Sequence, residues 1–315
     1  MNHVPRNIVM WLKSDEDHAV SNFQNRKSVA YHKFFTKISE RNIFRLAYDF
    51  DSYQGEGIFS NVASYKDGKF IKSQNSFKAE VIYQFNRLAP VGFNPGSAII
   101  TNTPEFRNFC SPKINTYNYM PRFFPKTFLV NNRQELISKS SEIRTNKVVV
   151  KPNQGQNGDD VFIFDKDSVD LQVISEDKLS DYGFLIQEFI DTVQGIKGLT
   201  PSYHDLRIVT HGNNISLCHV RQPLGGSLIG NSHKGALINE IDIEAIPGFI
   251  MDFYKQVHAE IIKKYPLPLY SMDIGVGFDG PRLIELNSHT AFPGDNFRCL
   301  DRFIDNLINH LETIK

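Results

Sequence analysis

The chain has 315 residues, more than one hydrophobic core usually serves, so its length predicts two or three domains. Its 41% hydrophobic and 22% charged content is ordinary for a globular protein, and Lys+Arg and Asp+Glu are both 35. This balance excludes a whole-protein field that would attract nucleic acid or an anionic membrane, so any anion must be bound locally.

The three cysteines, Cys110, Cys218 and Cys299, are far apart, odd in number and form no CxxC pair. They argue against a disulfide framework or a thiolate zinc site and favour a reducing cytoplasm. The apolar run near the N-terminus is short and followed by acids, which disfavours a signal peptide, and no segment approaches a membrane span.

The first third of the chain predicts a small α/β unit, because short β-prone runs alternate with a helical pattern. The predicted elements are strands at Asn7 to Lys13, Ile43 to Phe50, Lys78 to Phe85 and Ser97 to Asn102, and a helix through Ala19 to Ser39. Asp51 to Asn75 is rich in Gly, Ser, Lys and Tyr and is interpreted as an excursion, either a hairpin or a loop.

The middle of the chain alternates between helix and strand. Ser111-Pro112 predicts a helix start, with Ser111 as the N-cap, and this helix ends near Pro121. The elements predicted after it are strands at Lys126 to Val130, Lys147 to Lys151, Val161 to Phe164 and Phe184 to Ile190, and a helix at Asn132 to Arg144.

The last third predicts two hairpins and two helices. The first hairpin pairs His204 to His211 with Ile215 to Arg221. One amphipathic helix has Ile250, Phe253, Val257 and Ile261 on one face. A C-terminal helix, expected to pack on a sheet, has Phe297, Leu300, Ile304, Leu307, Leu311 and Ile314 on one face.

The second hairpin, Leu269 to Asn287, carries a cluster of oxygen ligands. A three-residue loop from Phe278 to Gly280 would place Asp273 opposite Glu285, with Asn287 on the same face. Hard oxygen donors in this arrangement suit Mg²⁺ bridging to phosphates. The alternative is a pair of exposed edge carboxylates, and a two-residue loop would slip the register and separate them.

Two lysines lie where they could meet phosphate. Lys151 ends a strand before a turn with Gly155 and Gly158, whose backbone amides could approach an anion, although such a turn can also be only a turn. Lys113 lies in the first turn of a helix, where the helix dipole disfavours a cation unless its side chain reaches an anion. The alternative is a solvated surface lysine.

Two arginines share a face of the first hairpin. A three-residue turn, Gly212-Asn213-Asn214, would place His219 opposite Arg207 and Arg221 opposite Asp205. Both arginines could hold a carboxylate or phosphate, and the alternative is a simple ion pair between Asp205 and Arg221.

A polar loop, Asn231 to Gly235, follows the first hairpin. Its His233 could be an acid, a base or a plain loop histidine. The sequence contains no GxSxG, HExxH or GxxxxGK[ST] motif and no Rossmann glycine fingerprint, and its histidines lack zinc-ligand spacing.

The order of these signals resembles the ATP-grasp superfamily, most closely its glutathione-synthetase-like and RimK-like carboxylate–amine ligases. The matching pieces are SPKINTY, VVVKPNQGQNGDDVFIF, LIQEFID, HDLRIV, NSHKGA, MDIGV and IELNSHTAFPG. Two features depart from the family pattern: Asp159-Asp160 stands where many relatives have Gly, and Ala236 stands where a second Gly is common.

The resemblance implies an α/β (α+β) fold of three α/β domains, at 1–108, 109–190 and 191–315, with ATP between the central and C-terminal ones. It implies cofactor-binding roles for eight residues of the central domain: Lys113, Lys151, Gly155, Gly158, Gln187, Glu188, Phe189 and Ile190. It also implies Mg²⁺ ligands at Asp273, Glu285 and Asn287, and catalytic roles for Arg207, Arg221, Asn231 and His233.

The implied function is an ATP-dependent ligase in the cytoplasm that activates a carboxylate as an acyl phosphate and joins it to an amine. The expected ligands are ATP and two Mg²⁺ ions, with Mn²⁺ as a substitute, and the substrates are small molecules or peptides. No nucleic acid or membrane partner is expected, and a homo-oligomer is left open. The alternatives are an ATP-binding regulatory module of the synapsin type and an ATP-grasp kinase acting on a hydroxyl.

Overall fold

The computed structural model describes residues 4–12, 28–48, 51–85, 93–155, 159–166, 174–230 and 235–315. Within these ranges the chain forms four β-sheets and seven α-helices. The predicted mixed α/β class is therefore confirmed.

The N-terminal region is built on a six-stranded sheet with the order β6-β5-β2-β1-β8-β9. Its strands are β1 (Asn7–Leu12), β2 (Ile43–Tyr48), β5 (Val62–Lys66), β6 (Lys69–Ser73), β8 (Val81–Gln84) and β9 (Ile99–Thr101). Strands β2, β1, β8 and β9 run parallel, with helix α1 (Ser28–Arg41) between the first two in sequence. The excursion predicted after β2 folds into β3 (Tyr53–Gly55), β4 (Ile58–Phe59) and the antiparallel hairpin β5-β6, and β7 (Phe77–Lys78) completes a small sheet with β3 and β4.

Two short helices follow this sheet, α2 (Pro104–Cys110) and α3 (Lys113–Tyr119). The prediction that Ser111 caps a helix start is wrong, because Ser111 ends α2 and donates its backbone N–H to the Arg107 carbonyl. Helix α2 has its own N-cap in Thr103, whose hydroxyl accepts from the Phe106 N–H, whereas the residue before α3 is Pro112. Lys113 nevertheless begins a helix, as predicted.

The central region is a four-stranded antiparallel sheet with the order β10-β13-β11-β12. Its strands are β10 (Thr127–Val130), β11 (Lys147–Pro152), β12 (Phe162–Asp165) and β13 (Phe184–Glu188), and its helices are α4 (Arg133–Ser141) and α5 (Glu176–Tyr182). Buried aliphatic and aromatic side chains from both helices and from β11 and β13 form its core.

The C-terminal region is a five-stranded antiparallel sheet with the order β16-β15-β14-β17-β18. Its strands are β14 (Asp205–His211), β15 (Asn214–Gln222), β16 (Leu237–Glu240), β17 (Leu269–Gly277) and β18 (Gly280–Asn287). Helix α6 (Gly248–Lys264) covers one face with the predicted apolar stripe, since Ile250, Phe253, Val257 and Ile261 are all buried.

Helix α7 (Leu300–Thr313) packs between the N-terminal sheet and the opposite face of the C-terminal sheet. Its apolar face shares one core with α1, β1 and β14. Polar contacts fix it to the N-terminal region: Arg6 donates to the carbonyls of the last turn, and Lys37 pairs with Asp305. The predicted C-terminal helix is therefore confirmed, and it joins two sheets instead of covering one.

Candidate functional site

The face of the C-terminal sheet opposite α6 carries the polar residues singled out in the sequence. Alternate residues of β14, β15 and β17 point to α6, so their neighbours share the other face. The polar residues on that face are Asp205, Arg207, His219, Arg221, Ser271 and Asp273. Because paired residues project to the same side, Glu285 and Asn287 of β18 belong to it as well.

Asp273 and Glu285 are opposite each other, as predicted, but by a different route. The β17-β18 loop has two residues, Phe278 and Asp279, since Gly277 pairs with Gly280. Ile284 is an extra residue in β18 between the partners of Asp273 and Ile274. This β-bulge shifts the register by one residue, so the prediction of a three-residue loop is wrong and the pairing of the carboxylates is right.

The β14-β15 hairpin contains the same correction. His211 pairs with Asn214, which leaves a two-residue loop where three residues were predicted. Ser216 is the extra residue of a bulge, and the expected pairs of Asp205 with Arg221 and of Arg207 with His219 both form. The two arginines therefore reach the predicted face.

The arginines are held by carboxylates in a buried network. Arg207 donates from Nε and Nη2 to the two carboxylate oxygens of Asp273, at 2.6 Å each. Arg221 donates to both oxygens of Asp205, at 2.6 and 2.7 Å, and its Nη2 also donates to Oδ2 of Asp273 at 2.8 Å. The predicted ion pair between Asp205 and Arg221 is thus present, and it extends to Asp273.

This network fixes the charge of Asp273. Burial disfavours the ionised carboxyl, but the guanidinium groups of Arg207 and Arg221 outweigh burial and hold the pKa of Asp273 well below its usual range. Arg207 keeps 25% of its side chain exposed, whereas Arg221 keeps 8%. Arg207 is therefore the arginine with more freedom to turn toward a ligand.

Lys151 reaches this face from the central sheet. Its Nζ donates to the carbonyl of Ile284, the bulge residue, at 3.1 Å. Burial lowers the pKa of Lys151 to about 8, with the Lys113 charge acting in the same direction and Glu285 and Asp273 opposing it. Two lysines and two carboxylates from different sheets therefore lie close enough to influence one another.

Lys113 lies over the turn that follows β11. Its Nζ donates to the Gly155 carbonyl at 3.0 Å and lies 3.4 Å from the Pro152 carbonyl oxygen. Gly155 has a φ of 140°, a conformation that favours glycine. Gly158, the second predicted glycine of this turn, lies outside the described residues.

The negative charge of Asp159 and Asp160, which follow this turn, is partly offset by a lysine. Asp160 accepts from the Lys178 ammonium group through both oxygens, at 2.9 and 2.8 Å. The departure from the family pattern at Asp159-Asp160 therefore comes with its own countercharge from α5.

The QEFI segment forms the link between the central and C-terminal sheets. Gln187 is buried and donates to the Thr127 hydroxyl at 2.7 Å. Glu188 accepts from the Lys126 and Arg144 backbone N–H groups at 3.2 Å each. These two side chains therefore join the pieces of the central sheet to one another.

The remaining two residues of QEFI face different neighbours. The Phe189 N–H donates to the Thr145 hydroxyl at 3.1 Å. Ile190 packs on β17, where a Cβ added to Gly275 or Gly277 would lie 3.1 or 3.2 Å from its Cγ2. The close approach of the interdomain link thus leaves little room for a side chain at either glycine of the DIGVG segment.

The donor chemistry of Asp273, Glu285 and Asn287 fits a hard cation such as Mg²⁺, because all three carry oxygen ligands. Asn287 Nδ2 donates to Glu285 Oε1 at 3.0 Å, which keeps these two side chains together. Asp273 directs its oxygens to the arginines. In keeping with this, no group of three His, Cys, Asp or Glu side chains among the described residues is arranged to hold a metal.

Sequence reasoning placed His219 on this face without giving it a role, and it missed Ser271. His219 is 8% exposed and Ser271 is 2% exposed, and neither His219 Nδ1 nor Ser271 Oγ has a hydrogen-bond partner among the described residues. Alternation along β15 and β17 places them beside the named residues and was the available signal. Asn231 and His233, which were predicted to take part, lie outside the described residues.

Comparison with known proteins agrees with this geometry. Residues 113–264 match the family model described as prokaryotic glutathione synthetase, ATP-grasp domain. A RimK domain ATP-grasp protein from Sphaerobacter thermophilus superposes with a TM-score of 0.59 at 12% identity, covering 96% of this chain and 99% of that one. The chain has the ATP-grasp fold, and the family match lies within its central and C-terminal regions. The predicted glutathione-synthetase-like and RimK-like resemblance is therefore confirmed.

Other similar proteins have names that state a product or a substrate. A probable alpha-L-glutamate ligase from Stenotrophomonas maltophilia is 23% identical over 235 residues, 75% of this chain and 74% of its own length. D-alanyl-alanine synthetase A from Vibrio cholerae superposes with a TM-score of 0.59 at 10% identity, covering 98% and 99% of the two chains. A RiPP-associated ATP-grasp ligase from Chryseobacterium gregarium was solved with ADP and a leader and core peptide. It superposes with a TM-score of 0.58 at 14% identity, covering 96% of this chain and 97% of that one.

None of the helices in the described ranges of this protein is both long and apolar enough to cross a membrane.

Proposed function

We propose that this protein is an ATP- and Mg²⁺-dependent ligase that converts a carboxylate to an acyl phosphate and joins it to an amine. The observation that carries the proposal is the meeting of Lys151 from the central sheet with the Ile284 carbonyl, beside the paired Asp273 and Glu285. Cations and acidic oxygen ligands thereby converge from two sheets, as transfer of a phosphoryl group requires.

In the proposed site, Lys151 and Lys113 bind the phosphates of ATP. Both lysines now donate to backbone carbonyls, so an incoming phosphate would replace weak neutral acceptors with charged ones. The QEFI backbone, next to the Ile190 contact with β17, lies at the junction where the adenine would bind. The domain limits at 108 and 190 belong to this proposal too.

Asp273, Glu285 and Asn287 are the proposed ligands of the metal. The oxygen atoms of these three side chains would hold Mg²⁺, which when bound would offset the negative charge that both reactants bring. Arg221 stays fixed by Asp205, whereas the more exposed Arg207 can turn from Asp273 to the transferred phosphoryl group or the substrate carboxylate. Asn231 and His233 are proposed to face the same groups.

The amine then attacks the carbonyl carbon of the acyl phosphate and the C–O bond to phosphate breaks. The nitrogen loses one proton as the amide forms, and the released phosphate takes up that proton. No protein nucleophile enters this sequence. The chain's own residues bind and orient two anionic reactants and offset the repulsion between them.

The names of the relatives suggest the first substrates to test. One of those proteins is named for glutamate ligation and another was solved with a leader and core peptide, so glutamate and peptides lead the screen. Purified protein with Mg²⁺ and ATP should release ADP and phosphate only when a carboxylate acceptor is present.

Hydroxylamine separates the proposed ligase from a kinase, because only an acyl phosphate yields a hydroxamate. Lys151→Met should abolish hydroxamate formation. The matched control is Lys147→Met at the other end of β11, where the lysine pairs with Asp165 at the surface. Hydroxylamine-insensitive phosphate transfer, or ATP binding with no turnover on any acceptor, would refute ligation.

A further inference from the structure

Asn153 lies two residues after Lys151 and is 7% exposed. Its backbone carbonyl accepts from the Lys113 N–H at 2.8 Å, and its side-chain Oδ1 accepts from the Ile114 N–H at 3.0 Å. One residue of the central sheet therefore receives the first two backbone donors of α3.

Helix α3 needs these acceptors because it has none of its own. The residue before it, Pro112, makes no side-chain capping bond. The first N–H groups of a helix lack intrahelical partners and are costly to bury unsatisfied. Asn153 thus acts as an N-cap supplied from another segment of the chain.

The same residue is fixed on its other side. The Asn153 N–H donates at 3.0 Å to the carbonyl of Gly183, the residue just before β13. Asn153 therefore links the end of β11, the start of β13 and the first turn of α3. Of these elements, β11 carries Lys151 and α3 carries Lys113.

We propose that Asn153 is the positioning residue that sets the separation of Lys113 and Lys151 for a polyphosphate ligand. Lys113 Nζ lies 3.4 Å from the carbonyl oxygen of Pro152, the residue after Lys151, so other bonds must hold these two like charges in one region before an anion arrives. The capping bonds of Asn153 do this without placing its side chain on the ligand. The inference rests on the proposed nucleotide-binding role of the two lysines.

The test uses a second helix cap as its control. Asn132 caps α4 through Oδ1, which accepts from the Glu135 N–H at 2.8 Å, and α4 also packs on the central sheet. Asn153→Ala and Asn132→Ala each remove one capping acceptor, so a purely structural role predicts similar effects for both.

Positioning predicts a different outcome. Asn153→Ala should raise the Kd for Mg²⁺ and ADP, measured by titration calorimetry, by roughly tenfold or more, because misplaced charged groups lose that order of binding. Asn132→Ala should leave this Kd within about twofold. Asn153→Asp, which keeps an oxygen acceptor, should bind ADP more tightly than Asn153→Ala.

Turnover provides the second readout. Since the lysines would bind phosphates before and during transfer, Asn153→Ala should raise the KM for ATP with little change in kcat. Equal Kd shifts in the two alanine variants, or no shift in Asn153→Ala, would overturn the positioning role. Failure of the unmodified protein to bind Mg²⁺ and ADP would instead overturn the proposed function.

Discussion

The two hairpins of the C-terminal sheet each contain one β-bulge that shifts the strand register by one residue, but the two bulges make different contacts. Both have two-residue loops and one bulge that restores the pairing of polar residues. In β15 the bulge residue Ser216 serves α7: its carbonyl accepts from Arg302 Nε at 3.4 Å and its Oγ lies 3.2 Å from Asn306 Nδ2. In β18 the bulge residue Ile284 offers its carbonyl to Lys151.

The comparison teaches that a bulge frees a backbone carbonyl from the ladder, and that its neighbours decide what the carbonyl does. Around Ser216 the neighbours are a buried histidine and the C-terminal helix, so the bulge stabilises the fold. Around Ile284 they are a lysine and two carboxylates, so the bulge joins two sheets at the proposed site. Four predictions test whether the Ser216 bulge is structural and the Ile284 bulge belongs to the proposed site.

Acid should weaken the first hairpin and its helix far more than the second. Burial lowers the pKa of His211 and His219 to about 3 and of His310 on α7 to about 4, while β17-β18 contains no histidine. These histidines favour the folded state above their ordinary pKa of 6.5, and their contribution is lost as the pH falls toward 4 and 3. At pH 5 each should cost about 2 kcal/mol, on the order of 6 kcal/mol together.

Urea unfolding between pH 7 and 5 measures this loss. His310→Leu should reduce the pH dependence by about one proton, or roughly 1.4 kcal/mol per pH unit. A free energy of unfolding that stays constant over this range would show that the buried histidines are not held neutral.

Asp273→Asn should damage both the fold and the site, because this residue belongs to both hairpin faces. Its carboxylate is 2% exposed and balances two guanidinium groups. Removing one partner of such a buried network costs about 3–5 kcal/mol. Thermal unfolding should detect it, and Arg122→Met, which breaks the exposed pair with Glu260, is the matched control with little expected effect.

Glu285→Gln should impair the proposed site without weakening the fold. Glu285 is partly buried and bonds to Asn287, and neither arginine of the network donates to it in the described contacts. Turnover dependent on Mg²⁺ should fall about 100-fold or more while the unfolding midpoint stays near that of the unmodified protein. Unchanged turnover would refute the proposed metal ligand.

The sequence predicted the site face better than the loops, for a physical reason. Strand alternation fixes which residues of one strand share a side, whereas the pairing of Asp273 with Glu285 across a two-residue turn depends on the bulge at Ile284. A bulge has no comparable signal, because Ser216 and Ile284 are ordinary strand residues. Helix periodicity showed the apolar face of α7 but not its partners, and the capping role of Asn153 depends on a contact 39 residues away in sequence.

Ser216→Ala tests the structural bulge with the smallest expected effect. The change removes the Oγ that lies 3.0 Å from His211 Nδ1 and 3.2 Å from Asn306 Nδ2, leaving buried polar atoms without this partner. The free energy of unfolding should fall by about 1–2 kcal/mol, while the KM for ATP and kcat stay unchanged because no residue of the proposed site is touched. Ser227→Ala, which removes a turn hydroxyl at the surface, is the control for loss of a hydroxyl. If Ser216→Ala impaired turnover without loss of stability, the division between a structural bulge and a site bulge would be wrong.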